Sequence, residues 1–199
     1  MKVAVVGGGG FRTPTVWESL ASVAAEAGIV EVVLQDVSGP RLERIAAVID
    51  GLRAERDGWG PRPRTTTSLE DALRGAGVVL CAIRVGGLEG RIVDETVPLH
   101  YGVLGQETVG PGGIAFALRT VPVMLEMARV ASRLAPDAWF LNFTNPAGLV
   151  TEALRSVLGT GWWACATPRP RCAAGWPRRW AGRCARCSST TRGSTTWGG

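Results

Sequence analysis

The 199 residues predict an α/β fold with a doubly wound parallel sheet over residues 1–160, followed by a tail, 161–199, of different character. Three observations lead there. Short apolar runs alternate with longer amphipathic segments, the pattern of parallel strands covered by helices on both faces. A glycine run, Gly7-Gly8-Gly9-Gly10, stands between the first strand and the first helix, the turn that makes such a sheet Rossmann-like. Composition then changes at Gly161: the last 39 residues use only eight amino-acid types, with no Leu, Val, Ile, Phe or Met. If globular sequence is about one-fifth Leu, Ile, Val and Phe, such a run arises by chance roughly once in 10⁴.

Val3 to Val6 reads as the first strand. Thr13-Pro14 offers an N-cap and a first-turn proline for a helix to about Ala27. Val30 to Leu34 is the second strand, and Pro40 opens a helix from Arg41 to about Arg56, with Leu42, Ile45, Ala46, Ile49 and Leu52 on one stripe. Gly58 to Pro63 is a loop. A short strand near Arg64 to Thr67 precedes a helix capped by Ser68 and running through Leu73. Gly77 to Ile83 is a buried strand, its one polar side chain Cys81 read as packing. Gly112-Gly113 precedes a long helix from about Ile114 to Leu134, and Ala138 to Phe143 is a further buried strand.

Charge divides where composition does. The first 160 residues carry 15 Lys and Arg against 17 Asp and Glu, and the tail adds seven Arg and no acid. The net +5 is a property of the tail, so nucleic acid is not expected as a partner of the folded part. Nor is a membrane, because no 18-residue apolar run or leader pattern opens the chain, and a cytoplasmic, reducing setting is expected. The tail holds four of the five cysteines and five of the eight tryptophans. Cys184 and Cys187 have C-x-x-C spacing, but no second pair or histidine stands near them to complete a zinc site.

The glycine turn carries the strongest local chemistry. Without side chains, backbone approaches a diphosphate closely, and the anion meets free N–H groups at the positive end of the next helix. Gly7 and Gly9 fit the first two positions of G-x-G-x-x-G, while Arg12 occupies the third. Asp36 stands at the end of the second strand, where an acid accepts hydrogen bonds from ribose hydroxyls and repels a 2′-phosphate. Gly7, Gly8, Gly9, Gly10 and Asp36 are therefore candidate NAD-binding residues, with NAD favoured over NADP.

Three more stretches are too polar to be plain scaffold: Arg84-Val85-Gly86-Gly87 through Arg91 to Asp94-Glu95; Tyr101 to Thr108, closing with Gly110-Pro111-Gly112-Gly113; and Asn142-Phe143-Thr144-Asn145-Pro146-Ala147-Gly148. Arg84 follows a strand at the edge where open α/β sheets bind ligands, and joins the cofactor-binding candidates. Taken together, DETVPLHYGVLGQETVGPGG and NFTNPAG resemble the NAD-dependent glycoside hydrolases of family 4, most closely the 6-phospho-β-glucosidases, over Met1 to about Gly159.

The resemblance implies hydrolysis of O-glycosidic bonds of phosphorylated or free glycosides by a sequence of oxidation, elimination, addition and reduction. In that scheme NAD⁺ takes hydride from C3, a base removes the acidified C2 proton, the aglycone leaves, water adds, and the hydride returns. A divalent metal, usually Mn²⁺, polarises the sugar oxygens. It also implies a homo-oligomer and a second, substrate domain that these residues do not contain. By position, Arg91 and Asn145 match substrate-binding residues, and Glu107 matches an acid that raises the basicity of a catalytic tyrosine absent from this chain. On chemistry alone, alternatives stay open: an ion pair of Arg91 with Asp94 or Glu95, an Asx-turn at Asn145, and loop capping by Glu107. His100, the only histidine, reads as a solvent-facing residue without a catalytic part.

The family's metal-binding cysteine, in Gly-Leu-Cys-Asn-x-Pro, and the histidine of an Asn-His pair are missing from this reading frame, so no metal ligand is assigned. Both motifs return when each codon is rebuilt from the last base of one codon and the first two of the next. From Gly159 admissible third bases give D-R-V-V-G-L-C-N-T-P, and from Ser189 they give D-Y-A-G-L-N-H-L-G. The tail thus reads as an out-of-frame translation from a frameshift near codon 159, disordered, and the 199-residue product as an inactive fragment of an enzyme. Alternatives are a truncated module that binds NAD without chemistry, or a basic tail that binds nucleic acid.

Overall fold

The computed structural model describes residues 1–158, and every reading of the tail, the Cys184–Cys187 spacing and the expected disorder included, lies outside the described residues. In chain order the elements are β1 (Lys2–Val6), α1 (Thr13–Ser22), α2 (Ala24–Ala27), β2 (Glu31–Gln35), α3 (Gly39–Ala54), β3 (Arg64–Thr66), α4 (Leu69–Leu73), β4 (Val78–Cys81), α5 (Gly87–His100), α6 (Gly110–Leu134), β5 (Trp139–Asn142) and α7 (Ala147–Leu158). The five strands form one parallel sheet in the order β3-β2-β1-β4-β5. That is the doubly wound arrangement expected from the alternating pattern, and its order reverses between β1 and β4, the crevice where such sheets bind ligands.

Alternation along β1 divides the core. Val3 and Val5 face one layer with Trp17, Val32, Leu34, Leu42 and Ile49. Ala4 and Val6 face the other, with Val79, Cys81, Met124, Ala128, Phe140, Val150 and Leu154. Each large aliphatic side chain removed from water in these layers contributes about 1.5–3 kcal/mol, which is what holds helices of modest propensity onto the sheet. Trp17 donates its indole N–H to the Pro61 carbonyl at 2.9 Å and meets Trp59 edge-on, fastening the loop before β3 to α1.

Several elements depart from the sequence reading. Thr13 does not cap α1: it is the first helical residue and is buried, with Arg12 at the cap and no side-chain capping bond. The glycine turn closes with a bond from the Thr13 amide to the Gly10 carbonyl, which carries the chain straight into the helix. The helix expected to reach Ala27 breaks at Val23, and α2 ends at Gly28 in the left-handed conformation. Ser68 does cap α4, accepting from the Asp71 amide at 3.2 Å. The long helix starts at Gly110 rather than Ile114, and α5 and α7 arise where no element was expected.

Candidate functional site

The β1–α1 turn is shaped by what its glycines lack. Gly7 has φ +88°, and a Cβ there would stand 2.4 Å from the Ala82 carbonyl oxygen at the end of β4. A Cβ on Gly8 would meet the Cβ of Leu34 at 2.8 Å, and one on Gly9 would meet Asp36 Oδ2 at 2.8 Å. The amides of Gly7 and Gly8 both donate to the Gln35 carbonyl, at 2.9 and 2.7 Å, latching the turn over the end of β2. Half-buried Asp36 accepts from the Gly9 amide at 3.1 Å and from the Ser38 amide at 3.0 Å. One lone pair on each carboxylate oxygen stays available, the acceptor capacity that two vicinal hydroxyls require. A turn stripped of side chains, a helix N-terminus behind it and an acid at the next strand's end fit a dinucleotide.

The second part of the site gathers around Glu107. Its loop, between α5 and α6, lies over α5 because Gly105 and Gly112 admit the backbone: a Cβ on Gly105 would be 1.8 Å from the Glu95 carbonyl oxygen, and one on Gly112 2.6 Å from that of Asp94. The largely buried Glu107 carboxylate accepts from Arg84 Nη2 at 2.8 Å and from Asn145 Nδ2 at 3.4 Å, and Arg91 Nη1 lies 3.5 Å away. Arg84 follows β4, Asn145 follows β5 and Arg91 sits on the second turn of α5. Three stretches far apart in sequence thus meet at the carboxyl edge of the sheet. Because Gly7 packs on Ala82, two residues before Arg84, this cluster adjoins the glycine turn.

The alternatives resolve differently at each residue. Arg91 does form the ion pair with Glu95, at 2.8 Å, while also facing Glu107, and its pKa is raised by Glu95 first and Glu107 second. The Asx-turn belongs to Asn142, whose Oδ1 accepts from the Thr144 amide at 2.9 Å; Asn145 is left to reach Glu107. Thr144 accepts from the Ile83 amide at 3.1 Å, tying the β5 loop to the β4 loop. Cys81 is fully buried against Met124 and Met127, and desolvation pushes its thiol up to about 11, as fits packing. His100 is exposed at the end of α5.

Sequence reading missed one pair. Asp94, only 4% exposed, accepts from Arg119 Nη1 at 2.9 Å and Nη2 at 2.5 Å, joining α5 to α6. Asp94 stood out only as a neighbour of Arg91, and Arg119 is the one charged residue between Gly110 and Leu125 of the long helix; a charge within that apolar stretch is the signal. Among the described residues no group of three His, Cys, Asp or Glu could hold a metal ion. No described helix is long and apolar enough to cross a membrane.

Fold and turn together define a Rossmann-like domain with a polar cluster at the carboxyl edge of its sheet. Residues 2–161 match the model of the family 4 glycosyl hydrolases, and the chain belongs to that family. It is 41% identical over 155 residues to a probable 6-phospho-β-glucosidase of Bacillus subtilis, covering 77% of this chain and 35% of that protein. The 6-phospho-β-glucosidase of Thermotoga maritima, solved with manganese, NAD⁺ and glucose 6-phosphate, superposes with a TM-score of 0.73 at 34% identity, over 79% of this chain and 38% of that one. A 6-phospho-α-glucosidase from gut microorganisms, in complex with NAD and Mn²⁺, gives 0.74 at 34% identity, over 80% and 36%. The chain therefore spans about a third of the length of these relatives.

Proposed function

We propose that this chain is the NAD-binding part of a glycosidase acting on O-glycosides of phosphorylated sugars, with NAD and a divalent metal, Mn²⁺, as cofactors. The observation that carries the reading is the meeting of Arg84, Arg91, Asn145 and Glu107 beside a stripped glycine turn, in a member of family 4. The relatives solved with NAD, Mn²⁺ and glucose 6-phosphate support the choice of ligands. They include both α- and β-glucosidases at equal identity, so the anomer does not follow from kinship.

In this reading the glycine turn and the N-terminus of α1 take the diphosphate, and Asp36 takes the adenosine ribose. When bound, NAD supplies an acceptor, and later a donor, of hydride at a sugar carbon. Arg91 and Asn145 bind and orient the sugar, the guanidinium for an anionic or hydroxyl oxygen and the amide as both donor and acceptor. A phosphate that draws Arg84 or Arg91 away from Glu107 frees that carboxylate to accept from a phenol, which is how it would raise the basicity of a tyrosine. Among the described residues no three of His, Cys, Asp or Glu come together, so none of them is assigned as a ligand of that metal.

Calorimetric titration of the 199-residue chain with NAD⁺ tests the reading. Saturable heat with one site per chain, reduced for NADP⁺, is the expected result; no heat and no thermal shift would overturn it.

A further inference from the structure

Besides the loop after β5 that brings Asn145, the polar side chains around Glu107 are carried by three arms: the turn after β4, the second turn of α5, and the loop before α6. All three bear on one joint. The guanidinium of Arg119 forks onto buried Asp94 through both terminal nitrogens, at 2.9 and 2.5 Å. It lies close to the turn that begins α5, where a Cβ on Gly86 would stand 3.0 Å from Nε and one on Gly90 3.0 Å from Nη2. Nη1 also donates to the Ala115 carbonyl at 3.5 Å, while Nε is buried and donates to no acceptor. Arg119 and Arg84 lie on the ring of buried Phe116, 5.7 and 5.5 Å from its centre. The backbone at Asp94 and Glu95 is in turn the surface against which Gly112 and Gly105 seat the Glu107 loop.

From this geometry we infer that Arg119 is a positioning residue for the sugar end of the site: acting through Asp94, it fixes where Arg91 and Glu107 stand relative to one another. The inference rests on the reading of the Glu107 cluster as the sugar-binding end. A planar fork is needed because two parallel bonds set both distance and rotation of α5 against α6, which a single point charge does not. The glycine turn rests on β1, β2 and the residues just after β4, through Gln35, Asp36 and Ala82, whereas the joint is held by Asp94 and Arg119, so the two ends of the site separate experimentally.

The test compares Arg119→Met and Arg119→Lys with the unaltered 199-residue chain by titration with two probes. ADP reports the glycine turn and Asp36; glucose 6-phosphate reports the Glu107 cluster. Displacing binding groups by even an ångström costs on the order of ten-fold or more, so Arg119→Met is expected to weaken glucose 6-phosphate about ten-fold and ADP by less than about two-fold. Arg119→Lys, which keeps one charged contact to Asp94, recovers part of the loss. Unchanged glucose 6-phosphate affinity in Arg119→Met overturns the inference, as does equal loss of both probes with a collapsed thermal transition, the mark of a general structural role. If the unaltered chain binds neither probe, the functional reading fails and the joint is judged by amide exchange. Faster exchange at residues 84–91 and 103–109 in Arg119→Met, with β1 and β2 unchanged, then upholds positioning, and no change refutes it.

Discussion

At single residues the glycine turn is defined by atoms that are missing. The space a Cβ would need at Gly9 is taken by the Asp36 carboxylate and the Cβ of Arg41, both within 2.8 Å. Gly9→Ala must push Asp36 off the Gly9 and Ser38 amides or lift the turn from β2. It is expected to weaken NAD⁺ binding about ten-fold or more, roughly 1.4 kcal/mol or above, with a small change in thermal midpoint. An affinity equal to that of the unaltered chain in calorimetry would count against the turn as the cofactor site. Cys81 makes a separate prediction. Its thiol is raised from the ordinary 9.0 to about 11, first by desolvation, with Thr144 and the Ile83 amide pulling the other way. A raised folded pKa favours the protonated form in the native state. The stabilisation is thus complete below about pH 9 and is lost as pH climbs from there towards about 11. Thermal midpoints from pH 8 to 11 should fall in the unaltered chain and lack that component in Cys81→Ala. At pH 8 Cys81 should resist alkylation until the protein is unfolded, as peptide mapping would show.

Among the elements, what was legible in sequence follows local physics, and what was not depends on tertiary contact. β1, β2, β4 and β5 read correctly because each is a short apolar run bounded by turn residues, while β3, the polar Arg64-Thr65-Thr66, read correctly as a β-branched segment after a loop. Ser68 read correctly because its capping bond is local, to a residue three positions on. Residues 87–100 gave no helical reading, since Gly87, Gly90 and Pro98 depress propensity and the apolar stripe is weak; Leu88, Ile92, Val93 and Val97 are all exposed. What makes α5 is packing on α6 and the Asp94–Arg119 pair, made with a residue 25 positions away. The candidate site shows the same division. The types and positions of Arg84, Arg91, Glu107 and Asn145 were visible, whereas their meeting on one carboxylate was not. Gly105 ties loop to helix and gives the element-scale prediction. With 1.8 Å between a built Cβ and the Glu95 carbonyl oxygen, Gly105→Ala has to move the loop. We expect a cost of about 1–3 kcal/mol in thermal unfolding and loss of measurable glucose 6-phosphate binding, with ADP binding retained. Retained affinity for glucose 6-phosphate would show that the loop, and Glu107 with it, is not part of the sugar end.

For the whole molecule, two independent boundaries fall at the same place. The match to family 4 ends at residue 161, and composition changes at Gly161, from ordinary globular usage with 17 acidic residues to a segment with none and seven Arg. A domain boundary would alter neither amino-acid usage nor kinship so abruptly, since a second domain also needs aliphatic residues for a core. A change of reading frame alters both at once, because it preserves the nucleotides while discarding the selected codon positions. With admissible third bases the shifted frame gives Gly-Leu-Cys-Asn-Thr-Pro and Leu-Asn-His, the cysteine and histidine that the family resemblance implies as metal ligands. We therefore propose that one base is gained or lost near codon 159, and that the 199-residue product is inactive as a hydrolase. Sequencing the gene across codons 150 to 200 decides the first point. A frame that reopens into V-V-G-L-C-N-T-P is the expected outcome, and an unaltered frame would make the tail genuine. The second is decided by p-nitrophenyl 6-phosphoglucoside with NAD⁺ and Mn²⁺. Nitrophenol release by the frame-restored protein alone supports the proposal, whereas release by the 199-residue chain would show that a complete catalytic set exists without the cysteine and histidine of the other frame.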